Sequence, residues 1–130
     1  MNKIDTVTWA VREPLSDAEL QELFSTVYKN PNRVPFHTIL AHCLTWVSVR
    51  RGGKLSGFAN LIWDGLYHGL IVDRCALDED LHLEVALKML ETLKRDHPTI
   101  TKIHIECSEK EIPVLEPLGF QRRVYGRVLF

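Results

Sequence analysis

Moving a proton at neutral pH takes a His, Asp, Glu or Tyr side chain with a tuned pKa. His68 and Asp73 are the first candidates, because both fall on one predicted strand. Their spacing of five residues is odd, so a regular strand sends them to opposite faces unless a bulge intervenes. Each also has a plainer use: Asp73 can pair with Arg74 or Arg50, and His68 can be a hairpin residue beside Tyr67. Asp64 precedes Gly65, and an Asp-Gly pair is explained by the turn it makes. Glu106 alternates with Ile105 on a predicted strand and faces either a cleft or a solvated edge, and Tyr125 is a phenol near the end of the chain. Cys43, Cys75 and Cys107 are far apart and odd in number, which excludes a fully paired disulfide set and any CxxC motif. Cys75 and Cys107 sit at strand positions where a buried small hydrophobe is expected, and no base is evident beside either. No His, Cys or Asp cluster has metal-ligand spacing, so no metal is expected. A G-x-S-x-G elbow and a phosphate-binding Walker loop are both missing from the sequence.

These groups must be held by elements that the hydrophobic pattern outlines. Residues 6–11 read as a strand; Ser16 and Glu19 then form a capping box for a helix with Leu20, Leu23, Phe24 and Val27 on one face. Asn30-Pro31-Asn32 stops that helix, and 36–43 reads as a second, shorter one. Strands over 46–50, 55–63 and 66–77 follow, joined by Gly52-Gly53 and Asp64-Gly65 turns into a meander. The acidic run Asp78-Glu79-Asp80 suits a helix N-terminus, and the helix beyond it carries Leu83, Ala86, Leu87, Leu90 and Leu93 on one face. A strand over 103–107, a short helix over 109–118 containing Pro113, and a closing strand over 123–130 complete the order β-α-α-β-β-β-α-β-α-β. An antiparallel front with a β-α-β unit behind it predicts a mixed α/β, or α+β, single sheet.

The chain has 130 residues, enough for a single domain over 1–130 with a real core. Hydrophobic residues make up 45% and charged residues 25%, which argues against disorder. Lys and Arg total 16 against 17 Asp and Glu, so charge gives no case for nucleic acid or an anionic membrane as partner. No apolar run approaches the roughly 18–20 residues of a membrane helix. The first residues lack the apolar stretch of a secretory signal, which predicts a cytoplasmic protein.

The element order resembles the GNAT acyltransferase fold, and several segments deepen the likeness. Gly57-Phe58-Ala59-Asn60-Leu61-Ile62-Trp63-Asp64-Gly65 resembles the "GF-N--WDG" hairpin of one branch of small bacterial members. His68-Gly69-Leu70-Ile71-Val72-Asp73 is similar to that branch's "HAFLLD" strand, and Leu118-Gly119-Phe120 stands where the family has a recurrent "GF". The resemblance implies acetyl transfer from acetyl-CoA to a primary amine on a small molecule or peptide. It places the pantetheine on backbone groups around Cys75 and Ala76, at a splay between the fourth and fifth strands, with Ser108 just past strand five. The pyrophosphate turn then falls on Leu81, His82, Leu83, Glu84, Val85 and Ala86, where bare amides of a helix N-terminus would meet it. Asp73 or His68 is the implied base and Tyr125 the implied acid, since Leu115 occupies the place of the usual tyrosine. The sequence departs from the family at the phosphate turn. Leu81 replaces an Arg or Gln, Glu84 replaces the central glycine, and Glu79 and Asp80 add charge nearby; only Ala86 fits. A protonated His82 would offset this in part. Two readings therefore stand: an N-acetyltransferase, or a binding or regulatory module on the same fold with weak or no CoA binding. A terminal strand over 124–130 also offers an edge for a homodimer.

Overall fold

The computed structural model describes residues 6–29, 33–123, 126 and 128. In chain order these form β1 (Val7–Val11), α1 (Asp17–Tyr28), α2 (Phe36–Ala41), β2 (Thr45–Arg51), β3 (Lys54–Trp63), β4 (His68–Ala76), α3 (Glu79–Asp96), β5 (Lys102–Ile105) and α4 (Ile112–Leu115). A 3-10 turn, Glu116–Leu118, continues α4. The strands make one mixed sheet in the order β1-β2-β3-β4-β5, antiparallel up to β4 and parallel between β4 and β5. The helix stop at Asn30-Pro31-Asn32 and most of the closing strand expected over 123–130 lie outside the described residues.

Local chemistry explains most element ends. The Ser16 hydroxyl accepts from the Glu19 amide at 3.1 Å while the Glu19 carboxylate accepts from the Ser16 amide at 3.2 Å, the reciprocal box that starts α1. The β2–β3 hairpin turns on Gly52 and Gly53 with φ of 59° and 82°, a left-handed pair that side chains disfavour. After β3, Asp64 Oδ1 accepts from the amides of Leu66, Tyr67 and His68 at 2.8, 2.9 and 3.2 Å. These bonds hold the Asp64 carboxyl below its ordinary pKa and delay β4 until His68, two residues later than the pattern suggests. The expected helix over 109–118 is broken into α4 and the 3-10 turn, because Pro113 and Pro117 each lack an amide donor.

Two layers of side chains cover the sheet. On one face, Leu81, Val85, Met89 and Leu93 of α3 pack against Val47, Val49, Ala59, Leu61 and Ile71. On the other, Leu20 and Leu23 of α1 and Phe36 and Leu40 of α2 pack against Trp46, Leu55, Phe58 and Cys75. The α3 face differs from the one expected: Leu83, Leu87 and Leu90 are only half-buried, and of the expected set Ala86 and Leu93 are fully inside. This helix is apolar over a wide arc, so sheet geometry chooses which stripe turns inward. Gly57 on β3 lets the layers close up, since a Cβ there would lie 2.7 Å from Val49 Cγ1 and 3.0 Å from Val85 Cγ1.

Candidate functional site

Register around Asn60 opens the sheet. Leu61 pairs with Ile71 and Ala59 with Arg74, so Val72 and Asp73 together oppose the single residue Asn60. That extra β4 residue is a bulge. The buried Asn60 side chain holds it: Oδ1 accepts from the Asp73 amide at 2.8 Å, and Nδ2 donates to Asp73 Oδ2 at 3.0 Å. The parallel ladder pairs His68, Gly69, Leu70 and Ile71 with Lys102, Ile103, His104 and Ile105, and it ends where the bulge begins. Beyond Ile71, β4 remains paired with β3 as far as Ala76. The two parallel strands therefore part.

A cleft of about 740 Å³ lies at this opening. Val72, Asp73, Glu106, Cys107 and Ser108 line its strand side, and Phe24, Tyr28 and Phe36 line its helical wall. Phe24 is the hub of that wall, with ring centroids 5.0 Å from Phe36 and 5.8 Å from Tyr28. The Tyr28 hydroxyl donates to the Arg74 carbonyl at 2.5 Å. Burial pushes the Tyr28 phenol above its ordinary pKa; Cys75, Asp73 and Glu106 add to the rise and the Arg74 charge opposes it.

Arg74 spans the opening from the α3 side. Its guanidinium donates to the Glu106 carbonyl at 2.7 Å, to the His82 carbonyl at 2.8 Å and to Glu111 Oε1 at 3.0 Å. Both partners of the Arg74–Glu111 pair are more than nine-tenths buried, at 7% and 6% exposed. Glu111 also accepts from the Ser108 amide at 3.0 Å, and His82 Nδ1 lies 3.3 Å away. Burial alone would raise the Glu111 pKa, but the Arg74 and Ser108 hydrogen bonds outweigh it and bring the group down to about 2. Burial, then the Arg74 charge, lowers the pKa of His82, and the facing Glu111 offsets this only in part. His82 is thus neutral at pH 7 and supplies no fixed positive charge for a phosphate.

The expected site residues are only partly brought together. Asp73 lines the cleft; His68 sits at the far end of β4, its ring 4.6 Å from that of His104 and 6.1 Å from that of Tyr67. The bulge that the odd spacing required is present, yet no pair forms. Asp73 pairs with neither arginine suggested for it, because Arg74 is taken by Glu111 and Arg50 by Glu13 and Glu19. Tyr125 lies outside the described residues. Cys75 and Ala76 are both buried at the end of β4; burial pushes the Cys75 thiol up to about 12, and its sulfur donates to the Leu23 carbonyl at 3.8 Å. Cys107, expected inside a strand, is exposed just past the end of β5.

At the expected phosphate turn, α3 already begins at Glu79, capped by Asp78, whose Oδ1 accepts from the Leu81 amide at 2.9 Å. Residues 81–86 are thus helix interior rather than a loop. Leu81, Val85 and Ala86 are core residues, Leu83 is half-buried, and Glu84 is exposed. His82 and Ser108 do reach the cleft, at its Arg74 end. Around the helix start, Arg51 pairs with Asp78 at 3.0 Å and Lys110 with Glu79 at 3.4 Å. Sequence reasoning missed Tyr28, Asn60 and Glu111 as parts of this site. Only the paired polar positions Asn60 and Asp73 carried a usable signal, because a buried Asn opposite an Asp on neighbouring strands is explicable by a bulge. Among the described residues no group of three or more His, Cys, Asp or Glu could hold a metal ion, and no helix is long and apolar enough to cross a membrane.

No protein-family model matches the chain, and no curated protein matches it in sequence. Solved structures do match in shape. A probable acetyltransferase of Staphylococcus aureus superposes with TM-score 0.72 at 16% identity, over 96% of this chain and 99% of that one. A GNAT-family acetyltransferase of Streptococcus pneumoniae gives TM-score 0.69 at 16% identity, over 96% and 98%. A putative acetyltransferase of Deinococcus radiodurans gives TM-score 0.70 at 20% identity, over 95% and 87%. With its mixed sheet, its bulged β4 and these neighbours, the chain has the fold of the GNAT acetyltransferases.

Proposed function

We propose that this protein transfers an acetyl group from acetyl-CoA to a primary amine. The observation that carries the reading is the parting of β4 from β5 at a bulge, over a cleft with Asp73 on its wall. In this reading Asp73, on the cleft wall, takes the proton from the acceptor amine. The freed nitrogen lone pair then forms the C–N bond to the thioester carbonyl carbon, the C–S bond breaks, and the departing thiolate takes up the second proton that the acylated nitrogen sheds. Arg74 and Glu111 hold the walls apart in this scheme and take no proton, since both are committed to each other.

The helix end is a poorer fit to a pyrophosphate than the cleft is to an amine. Asp78 already takes the Leu81 amide, and Glu79 and Asp80 stand in the first turn, with Arg51 and Lys110 as the nearby cations. The observation favours a second reading, a binding module on this fold that has given up CoA. Isothermal titration with acetyl-CoA at low salt separates the two. Micromolar binding, followed by acetyl transfer that Asp73→Asn abolishes without weakening acetyl-CoA binding, supports transfer. Absence of binding at millimolar ligand overturns it and leaves the module.

A further inference from the structure

We infer that the cleft accepts a cationic amine carrying an apolar body of about the size of an aromatic ring, and rejects phosphorylated or otherwise anionic amines; this rests on the acyl-transfer reading of the same cleft. Two features of the cavity meet at one place. Its helical wall is aromatic, with Phe24 in tilted contact with Phe36 and Tyr28 at centroid distances of 5.0 and 5.8 Å. Its strand wall carries two acidic residues, Asp73 on β4 and Glu106 just past the end of β5. Among the described residues, neither carboxylate is in an ion pair. The guanidinium lining the same cleft, Arg74, is buried against Glu111 and is not available to an anion. An ammonium head between two carboxylates and a ring against Phe24 satisfies both walls. A phosphate in this space would face the carboxylates with no unpaired Lys or Arg among the described lining residues.

The volume agrees with a small ligand. A cleft of about 740 Å³ is within the usual range for small-molecule sites. Charge selects the head group and the apolar wall selects the body, because a buried ring adds affinity that a short alkyl chain lacks.

The test is isothermal titration of the full chain without acyl-CoA, using 2-phenylethylamine, n-butylamine and glucosamine 6-phosphate. The expected order places 2-phenylethylamine about tenfold or more ahead of both others. Asp73→Asn and Glu106→Gln should each weaken 2-phenylethylamine severalfold. Phe24→Leu should weaken it while leaving n-butylamine unchanged, with circular dichroism confirming that each variant folds. Equal or tighter binding of glucosamine 6-phosphate overturns the inference, as does indifference of 2-phenylethylamine to both carboxylate variants or its failure to bind. Acetyl transfer to glucosamine 6-phosphate but not 2-phenylethylamine would sink the substrate class and keep the reaction. Tight 2-phenylethylamine binding without acetyl-CoA binding would do the reverse.

Discussion

Breaking a buried ion pair from one side leaves an uncompensated charge in the interior, which costs about 3–5 kcal/mol. Glu111→Gln, which strands the Arg74 guanidinium, should therefore lower unfolding free energy by about that amount in urea titration. The pH dependence has a definite sign. Glu111 has a folded pKa of about 2, below its ordinary 4.5, so its contribution is complete above about 4.5 and is lost as pH falls towards 2. His82 is also depressed, so acid favours the unfolded chain from below about 6.5, its ordinary value, downward. Urea midpoints at pH 7, 5 and 3 should fall in steps, and Glu111→Gln should flatten the lower step. A second residue-scale test is Asn60→Ala. It leaves the Asp73 amide without its 2.8 Å acceptor inside the sheet, at about 1–3 kcal/mol of stability. On the acyl-transfer reading it should also lower acetyl transfer through loss of Asp73 position, and Asn60→Asp should not rescue it, because the Nδ2 donor to Asp73 Oδ2 becomes a second carboxylate oxygen about 3 Å away.

At the scale of elements, the helices and hairpins follow from local chemistry that the sequence displays. The Ser16–Glu19 box, the Gly52-Gly53 turn and the Asp64-Gly65 turn are recognisable from residue type and spacing alone, and each is present. Packing between elements is less readable. Gly57 looks like a strand glycine in the sequence, but its reason is the approach of Val49 on β2 and Val85 on α3 to within 2.7 and 3.0 Å of where its Cβ would be. Gly57→Ala should cost about 1–3 kcal/mol by overpacking, seen as a lower thermal midpoint with unchanged secondary structure. Glycines with nothing near their missing Cβ, such as Gly53, would respond through backbone strain instead. The inward stripe of α3 differs from the expected one for a related cause: an amphipathic pattern gives a face only to within the width of its apolar arc.

For the molecule as a whole, the decisive feature is that one strand leaves its partner halfway along. The parallel ladder stops at Ile71 and Ile105, and α1, β4 and the segment after β5 enclose the space this leaves. At the neighbouring helix start, Glu79 and Asp80 would repel any pyrophosphate that approached within 4 Å by about 1 kcal/mol per charge in bulk water. The Glu79→Gln, Asp80→Asn double variant should therefore bind acetyl-CoA about fivefold or more tightly at low salt, with the gain shrinking at 1 M salt as screening removes it. Titration at the two salt concentrations checks this. Leu81 is no place to add a compensating arginine, because it is a core residue at 3% exposure.

By itself the sequence determined what local forces decide: where helices and turns begin, which residues alternate, and an order of elements that resembles the GNAT fold. Turn and cap energies depend on neighbours a few residues away, so they are visible in a string of letters. Tertiary structure alone decided which distant residues meet. Arg74 and Glu111 are 37 positions apart, and Tyr28 reaches the Arg74 carbonyl across 46. His68 and Asp73, only five apart, are separated by the sheet's own geometry, because the cleft opens beyond the last residue of the parallel ladder and His68 lies before it. Contacts of that range depend on register and on how closely layers pack, and no single-sequence spacing rule encodes either.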